Sequence, residues 1–298
     1  MPSFLSRLMP PLMLMRGSKK IFSTEEATLA HVAELALRPT SYCPPKKMEK
    51  SLALSVTRRH GWPVYEVKPK NSTPTRCAIY VHGGAWIREI TSAHWKLIAE
   101  LVAATSTRFL VPIYPLAPTG TACTVVPQIA ELAMEVCANT GAGGNFIIGD
   151  SAGANIALAV AMQRRDHGEP AFSNTILISP ALDLHFTDPL IKQIEPLDPM
   201  LALPGIRAAA NLWRGDLHLS DPLVSPMFGK LDKLGPMTMF SGTHDAAHGD
   251  AIRFSQLARA AGIPLHFEAA ENMLHVYPLM PIPEGKQARD AIKKALTA

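Results

Sequence analysis

Cysteine is scarce in this chain, and the few cysteines follow no pattern. The 298 residues include four cysteines, which are widely spaced and contain no Cys-x-x-Cys pair. Disulfide-stapled secreted domains and zinc clusters need cysteines that recur at short, regular spacings. The sequence therefore predicts neither a disulfide framework nor a zinc cluster.

Long hydrophobic runs are also lacking. The apolar stretch Leu8–Met15 is interrupted by Pro10 and Pro11, and it is far shorter than the roughly 20 residues that cross a bilayer. It lacks a small-residue cleavage site, and basic residues follow the apolar run instead of preceding it, so we expect no signal peptide. These absences predict a cytoplasmic protein without stable membrane insertion.

The chain has no concentrated block of charge of one sign. It carries 29 Lys and Arg residues against 25 Asp and Glu residues, which gives a formal net charge of +4. Basic clusters such as Lys46–Lys50 are short and contain no aromatic residue that could stack on a base. A solvated surface explains such clusters, so we predict no nucleic-acid partner.

What the sequence does contain is an alternation of apolar strands and amphipathic helices beyond residue 50. With 47% hydrophobic residues, the chain can bury one large core. The alternation is typical of the α/β class, a mostly parallel sheet with helices on both faces, in which sites collect at the carboxyl ends of strands. The predicted strands are 52–56, 63–67, 76–81, 108–114, 145–148, 175–179, 237–241 and 264–268, and the predicted helices are 93–104, 125–138, 154–161, 250–261 and 284–296.

A serine lies where one of these strands turns into a helix. The run Gly149–Gly153 reads Gly-Asp-Ser-Ala-Gly, and its small residues let the chain turn sharply with the Ser151 hydroxyl at the apex. A serine presented in this way can attack a carbonyl if a base and an oxyanion site lie nearby. Ser151 is therefore the predicted nucleophile.

A pair of glycines directly follows the strand at 76–81. In the run His82–Trp86, His-Gly-Gly-Ala-Trp, Gly83 and Gly84 allow backbone N–H groups to point into a cavity and bind developing negative charge. A simple glycine turn would look the same, but the serine turn downstream favours an oxyanion hole. Ala152, the residue after the serine, is predicted to supply a further N–H group.

The base and its acid are expected at the ends of two later strands. Among eleven histidines, His275 follows the predicted strand at 264–268, and Asp245 follows the strand at 237–241. The order Ser151, Asp245, His275 is the order expected for a catalytic triad on this kind of sheet. Asp250 is the alternative acid, because it lies in the same segment as Asp245.

These motifs resemble those of α/β-hydrolases of the hormone-sensitive-lipase-like group, also called fold-3 esterases. The matching pieces are the turn at His82, the Tyr-Pro-Leu-Ala-Pro run at Tyr114, the Gly-Asp-Ser-Ala-Gly run, and the surroundings of Asp245 and His275. The resemblance extends from about residue 63 to the C-terminus. It implies an α/β-hydrolase fold and the hydrolysis of carboxylic esters by a Ser-His-Asp triad, through an acyl-enzyme intermediate and without a metal or organic cofactor.

The resemblance also implies a lid. The lid of the family combines an N-terminal segment with an insertion, which correspond here to residues 1–50 and to about 185–215, where prolines surround helical pieces such as 205–213. Residues 51–298 would then form the catalytic domain that carries this insertion. The sequence departs from the family at Ala85, which stands where the family has a third glycine.

The sequence says less about the substrate. His82 and Trp86 are expected to contact it, and an apolar lid with few aromatic residues suggests short- to medium-chain acyl esters or compact lactones. The alternative is a non-catalytic module that binds a small molecule on the same fold, because the family resembled includes plant hormone receptors. Those receptors have lost the catalytic histidine, whereas this chain has His275 at that position.

Two further patterns would point to metal or dinucleotide chemistry, and neither has the required context. His244 and His248 match a zinc-binding pair, but that pair needs one continuous helix, and we expect Gly249 to interrupt a helix there. Residues 141–144 are rich in glycine but precede a strand, whereas a dinucleotide-binding turn follows one. We predict no metal and no cofactor.

The last predicted strand, 264–268, should lie at the edge of the sheet, because no later strand follows to cover it. Its residues alternate between apolar and polar without a lysine or an internal proline to discourage pairing with another chain. Members of the family resembled often dimerise through this edge. A homodimer is therefore predicted, and the alternative is that the helix at 284–296 shields the edge.

Overall fold

An eight-stranded sheet forms the centre of the structure. The computed structural model describes residues 2–15, 17–138 and 144–298, so the glycine run at 141–143 lies outside the described residues. The strands are β1 (Leu52–Arg59), β2 (Trp62–Pro69), β3 (Cys77–Val81), β4 (Arg108–Pro112), β5 (Asn145–Asp150), β6 (Asn174–Ile178), β7 (Met237–His244) and β8 (Leu265–Leu274).

The strands are arranged as a mostly parallel sheet. Their spatial order is β1-β2-β4-β3-β5-β6-β7-β8. The second strand is antiparallel to both of its neighbours, whereas the six strands from β4 across to β8 are mutually parallel. The α/β class predicted from the alternation of strands and helices is confirmed.

Helices cover both faces of this sheet. Helices α4 and α10 pack on one face, and α5, α6 and α9 pack on the other. The helices are α1 (Phe4–Met15), α2 (Ser18–Ile21), α3 (Glu25–Leu37), α4 (Ser92–Thr105), α5 (Ala122–Ala138), α6 (Ala152–Asp166), α7 (Pro189–Ile194), α8 (Leu203–Arg214), α9 (His248–Ala260) and α10 (Pro283–Ala295).

Alternate residues of each central strand pack on opposite faces. In β3, Ile79 and Val81 belong to the hydrophobic cluster under α5 and α6, whereas Ala78 and Tyr80 belong to the cluster under α4 and α10. All four side chains are buried. Strands that are covered on both faces need apolar residues at every position, which is why these strands read as continuous apolar runs.

The N-terminal helices and the segment between β6 and β7 pack against each other. Helix α3 lies on α8, where the Gly205 N–H donates to the Phe22 carbonyl at 2.9 Å. A side chain at Gly205 would collide with the Phe22 backbone. The Lys19 ammonium donates to the carbonyls of Glu195 (2.6 Å) and Asp198 (2.7 Å). The two segments that the resemblance assigns to a lid are thus in direct contact.

Helix α1 is apolar but short, with 12 residues. Its Met9 and Met13 side chains are buried, whereas Phe4, Leu14 and Met15 are exposed. Nowhere in residues 2–15, 17–138 and 144–298 does a helix combine the length and the apolar character that crossing a membrane requires.

Two local predictions around the later strands are wrong. Strand β8 does not end at residue 268 but continues to Leu274, which pairs with His244 of β7 after a bulge. Gly249 does not interrupt a helix but lies in the first turn of α9. Glycine is required there because a Cβ atom would lie 2.6 Å from Oδ1 of Asp188.

Strand β8 lies at the edge of the sheet, as predicted, with β7 as its neighbour. Several of its residues are exposed, including His266 and Ala269, and α10 packs against α4 and β7. An exposed edge strand presents unpaired N–H and C=O groups to any second strand. We propose that two copies of the chain pair through β8 about a two-fold axis, the commonest closed arrangement of identical chains.

Light scattering at micromolar concentration tests this pairing. We expect a mass twice the 32.3 kDa of one chain. Ala269→Lys should shift the mass toward that of one chain, because an exposed lysine on an edge strand disfavours pairing. A wild-type mass near 32.3 kDa would rule out the dimer.

Candidate active site

Ser151 lies on the sharp turn between β5 and α6, at the carboxyl edge of the sheet. Its φ is 53°, a conformation that residues other than glycine rarely adopt. The turn is held by the Ser151 N–H, which donates to the Ile178 carbonyl at 2.8 Å. Gly153 packs so closely on β3 that a side chain would collide with the Val81 carbonyl. The small residues of the motif therefore permit the turn that presents Ser151.

His275 and Asp245 complete a chain of hydrogen bonds with Ser151. Asp245 follows the last residue of β7, and His275 follows the last residue of β8. Nε2 of His275 lies 2.9 Å from Oγ of Ser151, and Nδ1 lies 2.9 Å from Oδ1 of Asp245. A carboxylate only accepts, so Nδ1 carries the proton and Nε2 is free to accept from the serine hydroxyl. This arrangement can activate a serine as a nucleophile.

The imidazole and the carboxylate stabilise each other's charge. Both are buried, with exposed fractions of 4% for His275 and 0% for Asp245. Burial alone would lower the pKa of His275, but the charge and the hydrogen bond of Asp245, with smaller contributions from Asp198 and Asp150, raise it above its ordinary value. Burial alone would raise the pKa of Asp245, but the interaction with His275 lowers it.

Asp250, the alternative acid, has other partners. Its Oδ1 accepts from Arg253 at 2.9 Å, and Arg253 also donates to Asp183 at 3.2 Å. Burial and the neighbouring charge of Asp183 raise the pKa of Asp250 to about 7. The carboxylate that contacts His275 is that of Asp245.

The glycine turn after β3 and the serine turn after β5 together offer three N–H groups for an anion, two from the first turn and one from the second, but they are not the predicted set. The Gly83 N–H donates to Oδ1 of Asp150 at 3.1 Å, which corrects its predicted role in an oxyanion hole. The N–H groups of Gly84, Ala85 and Ala152 take part in none of the hydrogen bonds between described residues. Ala85 has a φ of 53°, a left-handed conformation that its sequence neighbours do not reveal.

The buried carboxylate of Asp150 fixes the glycine turn relative to the serine turn. Besides the Gly83 N–H, it accepts from the Tyr80 hydroxyl at 2.7 Å and contacts Nε2 of His94 at 3.2 Å. Nδ1 of His94 accepts from the Thr91 N–H at 2.8 Å, so the proton lies on Nε2 and points to Asp150. Burial would raise the pKa of Asp150, but His94 and Tyr80 lower it overall.

Of the two residues predicted to contact the substrate, Trp86 lines a cavity at Ser151 and His82 does not. The Trp86 ring lines a cavity beside Ser151 and stacks on Trp213, with 5.8 Å between ring centroids. His82 is fully buried and stacks on Tyr114, and its Nδ1 lies 2.8 Å from the Gly83 carbonyl. Burial and the neighbouring His94 lower the pKa of His82 to about 4. His82 supports the glycine turn from behind, which corrects its predicted contact with substrate.

Two cavities meet at Ser151 and His275, and they differ in size and in polarity. The smaller holds about 30 Å³ and is walled by apolar side chains, which include Ala85, Trp86, Ala181, Phe186, Leu201 and Ile206. The larger holds about 560 Å³, and its lining combines apolar side chains such as Met9, Met13 and Leu279 with charged side chains such as Arg88, Glu89 and Glu100. An ester bound at Ser151 can therefore place its two halves in unlike surroundings.

Asp198 is a residue of the site that no sequence pattern singles out. It is buried in the segment between α7 and α8, where its Oδ1 accepts from the N–H groups of Met200 (2.7 Å) and Leu201 (3.1 Å). Its Oδ2 accepts from the Ala246 N–H at 3.0 Å, next to Asp245. An aspartate before a proline in a proline-rich segment reads as an ordinary turn residue, so only its tertiary contacts distinguish it.

No group of three or more metal-ligating side chains lies together in the part of the chain that the structure describes. His244 is the last residue of β7, and His248 is the first residue of α9. The two rings therefore do not share one helix face, as a zinc pair requires. Nδ1 of His248 instead lies 3.0 Å from the Ser241 hydroxyl.

The fold and this edge of the sheet are those of an α/β hydrolase. A family model described as alpha/beta hydrolase fold matches residues 78–279, which is more than half of the chain. The chain belongs to this family. An esterase of the bacterial hormone-sensitive lipase family has the same fold, with a TM-score of 0.83, 22% identity, and coverage of 100% of this chain and 98% of that one.

The chain is also similar in sequence to proteins that are named as a lipase and an esterase. It is 32% identical over 240 residues to a triacylglycerol lipase of Mycobacterium tuberculosis, an alignment that covers 80% of this chain and 50% of the lipase. The chain thus matches only about half the length of that lipase. It is 28% identical over 274 residues to an esterase of Acinetobacter venetianus, with 90% of each chain covered.

The titration of His275 provides a direct test of the hydrogen-bond chain. In NMR titrations, the imidazole should have a pKa above its ordinary value of about 6.5. Asp245→Asn should lower this pKa most, because the main opposing charge is lost, and Asp198→Asn should lower it less. Asp250→Asn is the matched control and should leave it unchanged. If all three variants lowered the pKa of His275 equally, the hydrogen bond between His275 and Asp245 would be contradicted.

Proposed function

We propose that the protein hydrolyses carboxylic esters by a Ser151–His275–Asp245 triad. Oγ of Ser151 attacks the ester carbonyl carbon while Nε2 of His275 takes the hydroxyl proton, and the N–H groups of Gly84, Ala85 and Ala152 bind the resulting oxyanion. His275 then gives its proton to the departing alcohol, which leaves an acyl group on Ser151. The observation that carries this proposal is the pair of 2.9 Å hydrogen bonds that joins the three side chains.

Water completes the reaction. A water molecule that replaces the alcohol loses a proton to His275 and attacks the acyl carbon, which releases the acid and restores Ser151. Asp245 keeps the imidazole in the tautomer that both steps need. The buried Asp245 carboxylate, which accepts from the Ala247 N–H at 2.9 Å as well as from His275, supports this orienting role.

We further propose that α1–α3 and the segment at about 185–215 form a lid over the site. The contacts of Lys19 and Phe22 with the second segment support a lid that is a single packed unit. Met9 and Met13 from the first segment and Ile206 from the second contribute to the two cavity walls. A lid of this kind excludes water from the reacting carbonyl.

We propose short- to medium-chain acyl esters or compact lactones as substrates, because apolar side chains surround the smaller cavity at Ser151. We assign the acyl group to the smaller cavity, where the stacked rings of Trp86 and Trp213 and the Ile206 side chain limit its length. The alcohol part then occupies the larger cavity, whose wall includes charged side chains. A compact lactone, whose acyl and alcohol parts belong to one ring, would extend into both cavities.

We also propose a cytoplasmic location. Cys43 and Cys123 are exposed free thiols. Exposed thiols persist in a reducing compartment and are oxidised outside it. Fractionation of cells that produce the protein, with immunodetection in each fraction, tests this location. Recovery in a membrane or extracellular fraction would contradict it.

Ser151→Ala is the direct test of the proposed nucleophile. The variant should remain folded by circular dichroism and lose about a millionfold in kcat, because Ser151 supplies the one hydroxyl that hydrogen-bonds to His275 among the described residues. Hydrolysis of a p-nitrophenyl butyrate solution measures the loss. A folded Ser151→Ala protein with near-normal activity would exclude Ser151 as the nucleophile, whereas a folded wild type that hydrolyses no ester would favour a binding module.

The two aspartates provide a matched pair for the acid. Asp245→Asn should keep the fold and lose about ten-thousandfold in kcat, since an amide leaves His275 in the wrong tautomer. Asp250→Asn should be far milder, because Asp250 is bonded to Arg253 rather than to His275. If the losses were reversed, the two assignments would have to be exchanged.

A panel of aryl esters of increasing acyl length tests the substrate assignment. The rate should be highest for short acyl groups and fall steeply for long ones, with Ser151→Ala as the blank. Ile206→Ala enlarges the smaller cavity and should move the optimum to longer chains. Ile191→Ala, a buried substitution on α7 away from both cavities, is the control. An optimum at long chains with activation at an oil–water interface would indicate a lipase instead.

A further inference from the structure

The wall of the larger cavity contains a carboxylate that the proposed reaction does not use. Glu89 follows the glycine turn and lines the same cavity as Ser151 and His275. Its Oε2 atom is buried and forms no hydrogen bond with any described residue. Native proteins pair nearly all buried polar atoms, so an unpaired acceptor in a cavity wall points to a donor from a ligand or from solvent.

The other two carboxylates of this cavity already have partners. Glu100 accepts from Arg289 at 2.8 Å, and Asp150 accepts from Tyr80 at 2.7 Å. Oε2 of Glu89, in contrast, has no such partner among the described residues. Burial raises its pKa to about 7, even though the Ile90 N–H opposes the shift, as expected for an acceptor with few donors. Glu89 therefore has unused hydrogen-bonding capacity beside the reacting centre.

Glu89 is also held at a fixed position relative to the oxyanion N–H groups. The turn that precedes it is closed by two hydrogen bonds, from the N–H groups of Ile87 (3.2 Å) and Arg88 (3.0 Å) to the Gly84 carbonyl. A ligand group bound to Glu89 is thereby placed at a set distance from Gly84 and Ala85. Such a contact would orient the ester carbonyl as well as add affinity.

We propose that Glu89 accepts a hydrogen bond from a hydroxyl group on the alcohol part of the ester, so that short-chain monoesters of diols or polyols are the preferred substrates. This inference rests on the proposed function. A hydroxyl fits better than a cation, because Arg88, Lys96 and Arg289 line the same cavity and balance the charges of its three carboxylates. A hydroxyl can also donate to Glu89 in either protonation state, since the carbonyl oxygen of the acid still accepts.

The test compares pairs of butyrate esters with the same shape. Each ω-hydroxyalkyl butyrate of a series of increasing length is measured beside the alkyl butyrate in which methyl replaces hydroxyl. The ratio of the two kcat/KM values cancels effects common to both substrates. For the pair whose hydroxyl reaches Glu89, the ratio should exceed about tenfold in the wild type, because a site built to bind a hydroxyl discriminates against its absence.

Two substitutions separate recognition from structure. Glu89→Met keeps the length of the side chain without an acceptor and should bring the ratio close to one. Glu89→Gln keeps an amide oxygen and should retain part of the preference, even if the methionine variant folds poorly. Glu100→Gln is the matched control, a cavity carboxylate already bonded to Arg289, and should preserve the ratio.

Several outcomes would overturn the inference. A wild-type ratio near one for every pair, or a ratio that Glu89→Met leaves unchanged, would exclude recognition by Glu89. A preference for choline butyrate over 3,3-dimethylbutyl butyrate that exceeds the preference for the hydroxyl esters would identify a cation as the ligand of Glu89 instead of a hydroxyl.

Calorimetry separates this inference from the proposed function. In the Ser151→Ala background, the same ester pairs should bind with a preference for the hydroxyl ester that Glu89→Met removes. If the wild type hydrolysed no ester, the proposed function would fail while this binding preference remained measurable. If hydrolysis depended on Ser151 but the binding preference were absent, only the role of Glu89 would fail.

Discussion

The buried carboxylate of Asp150 is the interaction on which the rest of the site depends. It belongs to the serine turn, yet it accepts the Gly83 N–H of the glycine turn and is held by Tyr80 and His94. A buried charge is stable only when it is paired and hydrogen-bonded, so the two turns cannot move apart without exposing it. This constraint sets the distance between the proposed nucleophile and the proposed oxyanion N–H groups.

A second carboxylate, Asp198, has the same function on the lid side. It binds the Ala246 N–H beside Asp245, while its own carbonyl accepts from Lys19 of the N-terminal helices. The loop that carries the proposed acid is therefore tied to both segments of the proposed lid. The charge of Asp198 also contributes to the raised pKa of His275. The packing of the proposed lid and the pKa of His275 thus both involve Asp198, the first through its backbone carbonyl and the second through its carboxylate.

Much of the fold could be predicted because the central strands β3 to β6 are buried on both faces and alternate with helices. Local errors arose where tertiary contacts override local signals. Gly249 reads as a helix breaker, but the close approach of Asp188 requires a glycine inside α9. Strand β8 continues past residue 268 because β7 offers pairing partners as far as His244. Helix and strand propensities describe an isolated segment. The contact between Asp188 and Gly249 and the pairing of β7 with β8 both join residues that are far apart in the sequence.

The sequence by itself determined the α/β class, the serine turn, and the expectation that Asp245 and His275 lie at neighbouring strand ends, because small residues and apolar periodicity act over a few positions. Only the tertiary structure decided which groups are joined by hydrogen bonds. The Gly83 N–H binds Asp150, His82 is buried beneath the glycine turn, and Asp198 contacts Ala246. Oε2 of Glu89, on a residue that lines the larger cavity, has no hydrogen-bond partner among the described residues. These outcomes depend on distances between segments far apart in the chain, which no local pattern encodes, because hydrogen bonding requires contact within about 3 Å.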